Sequence, residues 1–97
     1  MTLTAHVPTG HASRYLQQLC KHWSHKFDTD FDAERGRIAF PMGAIRMAAG
    51  PDALTVEIEP HGEADVERFK QVVADHLDRF AFREAPLTFD WRAVGEG

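Results

Sequence analysis

The chain has 97 residues, 43% of them hydrophobic and 27% charged, with a formal net charge of −4 at pH 7. That length supports one core, so residues 1–97 are expected to form a single domain, and the composition excludes a disordered chain or one with a membrane span of ~20 apolar residues. The 11 Lys and Arg are scattered among 15 Asp and Glu, without the basic stripe from which a nucleic-acid binder draws its phosphate affinity, and the lone Cys20 excludes an internal disulfide or paired-cysteine metal motif.

The opening MTLTAHVPTG has no basic stretch followed by an apolar one, so no secretion signal is read and the cytoplasm is the expected compartment. Within it Leu3, Ala5 and Val7 alternate with Thr2, Thr4 and His6, the period of a half-buried strand, which Pro8 to Gly10 break. From about Ala12 to Lys26 the spacing turns helical. Ala12, Tyr15, Leu16, Leu19, Cys20 and Trp23 form one stripe, Phe27 follows its end, and Thr9 is the expected N-cap. Four short strands come next, separated by the turns AERG, PMG and GPD, and such short connections imply antiparallel neighbours. In the first, Phe27 and Phe31 are expected inward with Asp28, Asp30 and Asp32 outward; Ile38 and Phe40, Ile45 and Met47, then Leu54, Val56 and Ile58 follow. Arg37, Arg46, Thr55, Glu57 and Glu59 fall on the opposite, wet face.

HGEADVERFKQVVADHLDRF reads as a second helix, with Glu63 and Asp65 in its first turn, where the macrodipole favours anions. Its buried stripe is Val66, Phe69, Val73, Leu77 and Phe80, with Asp75 and Arg79 as a surface pair at i,i+4. PLTFDWRAV is expected to be a final strand with Leu87, Phe89 and Trp91 on one side. The order β-α-β-β-β-β-α-β gives an α+β two-layer sandwich: a mainly antiparallel sheet of five to six strands with two helices on one face.

Chemistry-bearing residues concentrate in HASRYLQQLCKHWSHKF, residues 11–27. On a helical wheel His11, Gln18, His22 and His25 fall within about 60° of one another, about 120° from the centre of the apolar stripe. His22 and His25 are surface neighbours at i,i+3, and His76 lies on the buried arc of the second helix. If the helices lie side by side, His22, His25 and His76 together suit zinc, copper or iron, with Arg14 and Lys21 nearby to attract an anionic ligand. The plainer alternative is that His22 and His25 are solvated and His76 is a hydrogen-bonded histidine at the core edge.

Other constellations fall short. DTDFDAE places Asp28, Asp30 and Asp32 as in a calcium loop, but the required glycine is Ala33 and the bidentate carboxylate is Ala39, so an acidic edge strand is the better reading. Cys20 faces inward, where an apolar setting dulls a thiol, and neither Ser13 nor Ser24 sits in a nucleophile elbow. Glu57 and Glu59 stand on the wet face rather than in a pocket. Trp23, Phe69, Phe80, Phe89 and Trp91 are expected in the core, while Phe82 reaches either the core or a partner. No active-site constellation is present, and the expectation is a protein without enzymatic activity.

The stretches HASRYLQQLCKHWSHKF and VVADHLDRFAFREAPLTFDW, with FDAERGRIAFPMG between them, resemble a bacterial family catalogued as domain of unknown function 2218 (DUF2218). The resemblance covers nearly the whole chain. No reaction is assigned to that family, so it implies no catalytic residues. In some bacteria similar domains stand beside or are fused to siderophore-interacting flavoprotein reductases, so the resemblance implies an accessory role in iron handling with such a reductase as partner. The leading expectation is therefore a small cytoplasmic binding module in iron-siderophore or metal metabolism. The alternative is a structural or protein-interaction domain whose sheet face or edge forms a homodimer, with the histidines incidental.

Overall fold

The computed structural model describes residues 2–94. Its elements are β1 (Thr2–Pro8), α1 (Ala12–Trp23), β2 (Thr29–Phe31), β3 (Arg35–Phe40), β4 (Gly43–Ala49), β5 (Ala53–Pro60), α2 (Val66–Phe80) and β6 (Arg92–Val94). The strands make one six-stranded sheet in the order β2-β3-β4-β5-β1-β6, with every neighbouring pair antiparallel. The short turns fold β2 to β5 into a meander, β1 pairs on the far side of β5, and the chain after α2 returns β6 to the free edge of β1. This is the expected α+β sandwich of one sheet and two helices.

Period-2 patterning fixes which face is covered. Ala5, Val7, Ile38, Ile45, Leu54, Val56 and Ile58 point inward and are fully buried, and α1 and α2 cover them with Leu16, Leu19, Cys20, Phe69, Val73 and Leu77. At about 25 cal/mol per Å² of apolar surface removed from water, this seam is the dominant stabilising contribution. α1 crosses β2 to β5, whereas α2 lies over β5 and beside α1.

The close approach of α1 depends on Gly36. The AERG turn was expected to contain it, yet Gly36 sits buried inside β3, where an added Cβ would stand 2.6 Å from Cys20 Sγ and 3.2 Å from a Leu16 methyl. The paired small residues Gly36 and Cys20 let the helix settle onto the strand. At Gly43, φ is 148°, and a Cβ would stand 2.3 Å from the Glu59 carbonyl oxygen, so only glycine fits the start of β4 against β5.

Five local expectations change, the first at Phe31, which was expected inward and is 40% exposed on the edge strand β2. α1 ends at Trp23, and beyond it the Lys26 amide donates to the Trp23 carbonyl three residues back, a tighter turn than the helix, before Phe27. Its N-cap is His11; Thr9 stands two residues earlier, accepts the His11 amide at 3.0 Å and so orders the entry to the helix. In α2 the cap is Asp65, whose carboxylate accepts the Arg68 amide at 3.1 Å, and Asp75 accepts from Gln71 at 2.7 Å in place of the expected pair with Arg79. The last strand is only Arg92–Val94. Leu87 is buried and Phe89 and Trp91 are half-buried, but the Leu87 amide is held by Asp78 of α2 at 2.8 Å, so this segment follows the helix rather than a ladder. Its apolar alternation reported burial correctly and strand pairing wrongly.

Candidate binding surface

α1 and the second half of α2 meet along a crest where two of the three proposed ligand histidines come together. The His22 and His76 rings lie 5.8 Å apart between centroids, with Phe80 5.8 Å from His22 and Trp23 4.8 Å from His76. His76 Nδ1 donates to the Val72 carbonyl at 2.8 Å. A carbonyl only accepts, so the proton belongs on Nδ1 and the Nε2 lone pair of a neutral ring is free. Burial, then His76, then Arg79, Lys26 and His25 push the His22 pKa below its ordinary value. His22 is therefore uncharged near neutral pH although it stands at an exposed edge.

His25 does not join them. It sits in the turn after α1, exposed, and acts on His22 through charge. Among the described residues no group of three His, Cys, Asp or Glu side chains converges as a metal site. The crest thus supplies two imidazoles and a set of cations. Arg14 lines a cavity of about 370 Å³ with His11, Tyr15, Gln18, Phe80 and Arg83. Lys21 lines a shallower hollow with Arg14, Gln17 and Phe31 on the other side of α1. None of Arg14, Lys21, Lys26, Arg79 and Arg83 forms an ion pair among the described residues, whereas Arg37, Arg46, Lys70 and Arg92 all do.

One polar cluster escaped sequence reasoning. Glu84, just beyond α2, accepts hydrogen bonds from the Tyr15 hydroxyl and, at 3.0 Å, from the Thr9 hydroxyl. Burial and then the Glu84 carboxylate push the Tyr15 phenol above its ordinary pKa, and the Tyr15 hydrogen bond chiefly holds Glu84 below its own. The cluster clamps the segment after α2 to the start of α1 and forms one end of the crest cavity. Tyr15 on the inward arc of α1 was the sole signal for it, since a buried phenol needs a partner; nothing in the pattern of REAP pointed to Glu84.

The remaining sequence candidates are occupied by structural bonds. Cys20 is fully buried, and burial raises its thiol to about 11, so it stays protonated. The Ser13 hydroxyl donates to the Ala33 carbonyl at 2.5 Å and that of Ser24 to the Lys21 carbonyl at 2.8 Å. Asp32 accepts the amides of Glu34 and Arg35 and shapes the β2–β3 turn, while Asp30 bonds Arg37. Glu57 and Glu59 both bond Arg46 on the outer sheet face. Phe82 is 71% exposed, with the Arg83 guanidinium 5.7 Å from its ring centre, so it belongs to the surface beside the crest cavity. Among the described helices none is long and apolar enough to cross a membrane.

No curated protein matches the chain. An NMR structure of PA4090 from Pseudomonas aeruginosa is similar at 37% identity, covering 94% of each chain, with a TM-score of 0.75. The model of a family described as an uncharacterized protein conserved in bacteria, DUF2218, matches residues 4–92. That span runs from β1 to the first residue of β6 and takes in both helices of the crest, so the chain belongs to the DUF2218 family.

Proposed function

We propose that this chain acts by binding, and that the α1–α2 crest takes an anionic small ligand, with an anionic metal chelate as the class that uses all of its groups. The observation that supports this most directly is the pairing of neutral His22 with His76 among the cations Arg14, Lys26, Arg79 and Arg83, none of them neutralised by a described carboxylate. Two imidazoles without a third donor hold a bare divalent ion weakly, and Arg79 and Lys26 beside His22 repel it. A chelate that brings its own donors and a net negative charge meets the cations first and the imidazoles second. On this reading the chain is a cytoplasmic accessory in iron-siderophore or other metal metabolism, and a siderophore-interacting reductase is the partner suggested by the family resemblance.

The test is a long-range proton–nitrogen NMR spectrum of the histidine rings during titration with zinc(II) alone and with gallium(III) citrate, a diamagnetic anionic chelate. Saturable shifts at His22 and His76 with the chelate, weakened by Arg14→Ala and Arg79→Ala, are the expected result. Unperturbed rings in both titrations overturn the reading. Tight zinc binding at His22, His25 and His76 without the chelate replaces it with a metal site that recruits His25.

The outer face of the sheet, which no described helix covers, favours the second reading, an interaction domain that forms a homodimer through that face rather than through its short edge strands β2 and β6. Light scattering that gives twice the chain mass at micromolar concentration, together with silent histidines, would select it.

A further inference from the structure

The outer face of the sheet carries a row of side chains that runs across all six strands. In register, Asp30 pairs with Arg37, Arg37 with Arg46, Arg46 with Glu57, Glu57 with Thr4, and Thr4 with Arg92. The signs of its first four members are minus, plus, plus, minus. Directly opposed residues in an antiparallel ladder have Cβ atoms about 4.5–5.5 Å apart, and like charges at that spacing are destabilising. Strand pairing does not require an arginine at either position, so the opposition of Arg37 and Arg46 needs another cause.

Each of these arginines is held from its far side. Arg37 Nη2 donates to Asp30 at 3.2 Å; Arg46 Nε donates to Glu57 at 2.6 Å and its Nη2 to Glu59 at 3.2 Å. Nε and Nη1 of Arg37 and Nη1 of Arg46 keep no carboxylate among the described residues. Arg35, two positions before Arg37 and on the same face, has no ion pair among them either. In the row beside them the register runs from Arg35 through Ala48 to Thr55, so small side chains lie between the guanidiniums. The result is a concavity of about 540 Å³ lined by Arg35, Arg37, Arg46, Ala48 and Thr55, within the ~300–1,000 Å³ of small-molecule sites.

We infer that this concavity binds the oxyanion of a small molecule, a carboxylate or phosphate group, seated between Arg37 and Arg46 with Arg35 at its rim. An anion there turns the minus-plus-plus-minus row into an alternating one and removes the like-charge contact. It also engages guanidinium donors already oriented by Asp30, Glu57 and Glu59. Those same acids, with Asp32 at the rim, balance the arginines, so the surface accepts one compact anionic group and repels an extended polyanion. The site faces away from the helices and is independent of the crest.

The test uses the full chain, titrated with inorganic phosphate and separately with malonate at constant ionic strength in chloride, followed through the arginine Nε–H signals. Saturable shifts at Arg37 and Arg46 are expected, weakened about tenfold or more by Arg37→Gln, the usual effect of losing a charge-assisted hydrogen bond. Stronger binding of malonate than of phosphate marks a carboxylate ligand, and the reverse order marks a phosphate. In the absence of either anion Arg37→Gln should melt no lower than the parent chain, because it removes a like-charge neighbour, and its melting point should not rise with phosphate. Arg35→Gln, on the exposed rim, should weaken binding several-fold and leave melting unchanged. Shifts that only track ionic strength, saturable shifts that survive Arg37→Gln, or shifts confined to Arg14, Arg79 and Arg83 would each overturn the inference. A lower melting point of Arg37→Gln without anion would also overturn it, by marking the row as a structural network.

Discussion

The two helices bury similar stripes yet use their polar side chains differently. In α2, Asp65 caps the helix, Lys70 pairs with Glu67, Gln71 bonds Asp75, His76 bonds Val72, and Asp78 holds the Leu87 amide. In α1, Ser13 and Gln17 are engaged, but Arg14 and Lys21 have no ion pair among the described residues and His22 stands at an exposed edge. Most polar residues of α2, Arg68 and Arg79 apart, are thus spent on folding, whereas Arg14, Lys21 and His22 of α1 are left over by it. Polar groups the fold does not use are where a binding role is to be sought, and this contrast directs attention to α1.

Variants that cut the shared core should show the two helices as equals, and they carry the largest effect. Phe69→Ala removes a fully buried ring whose centroid lies 5.6 Å from that of Phe40 and should cost about 3–5 kcal/mol in urea unfolding; Leu16→Ala on α1 should cost about 2–5 kcal/mol. A cost below ~1 kcal/mol for either would show that helix to be loosely seated. Gly36→Ala should cost about 1–3 kcal/mol by overpacking against Cys20, and Cys20→Ala in the same chain should recover part of it. Additive costs in that double-mutant cycle would mean that α1 rises as a whole rather than clashing at one contact.

The outer faces should then separate the helices. Asp65→Ala on α2 should cost about 1 kcal/mol as a lost cap, while Arg14→Ala and Lys21→Ala on α1 should each stay within about 0.5 kcal/mol. Equal losses would erase the contrast. The smallest effect is in pH. The folded-state pKa of His22 lies below its unfolded value, so the folded state favours the neutral ring. Its contribution to stability is complete above the unfolded value of about 6.5 and is lost as pH falls through the folded value. His22→Ala should flatten that part of the stability profile, and Arg79→Ala should move the His22 NMR titration midpoint upward. A His22 midpoint at or above 6.5 would show the crest to be open to water and its histidine an ordinary surface group.

Most of the fold was legible, and each exception has a particular cause. The inward residues of β1, β3, β4 and β5 and the stripes of both helices were readable because alternation and helical spacing record which side of an element meets the core. The segment around Phe89 and Trp91 misled because burial on one side of an extended chain looks the same with or without a ladder beside it. Gly36 misled because turn composition cannot distinguish a glycine that bends the chain from one that admits a helix. At the candidate surface, the wheel placed His11, His22 and His25 on one exposed arc, and His22 did meet His76; the separation of His25 followed from where α1 ends, two residues before it.

By itself the sequence determined most of the elements, their covered sides, the inert thiol of Cys20 and the polar edge of α1. Only the tertiary structure decided which distant residues meet: His22 with His76 across two helices, Tyr15 with Glu84 at a separation of 69 residues, and Arg37 opposite Arg46 in the sheet. The physical reason is that periodicity is a property of one element against the core and carries no information about its neighbour. Neighbours are set by strand register and by the depth to which Gly36 and Cys20 let α1 settle, and those depend on every packed contact at once.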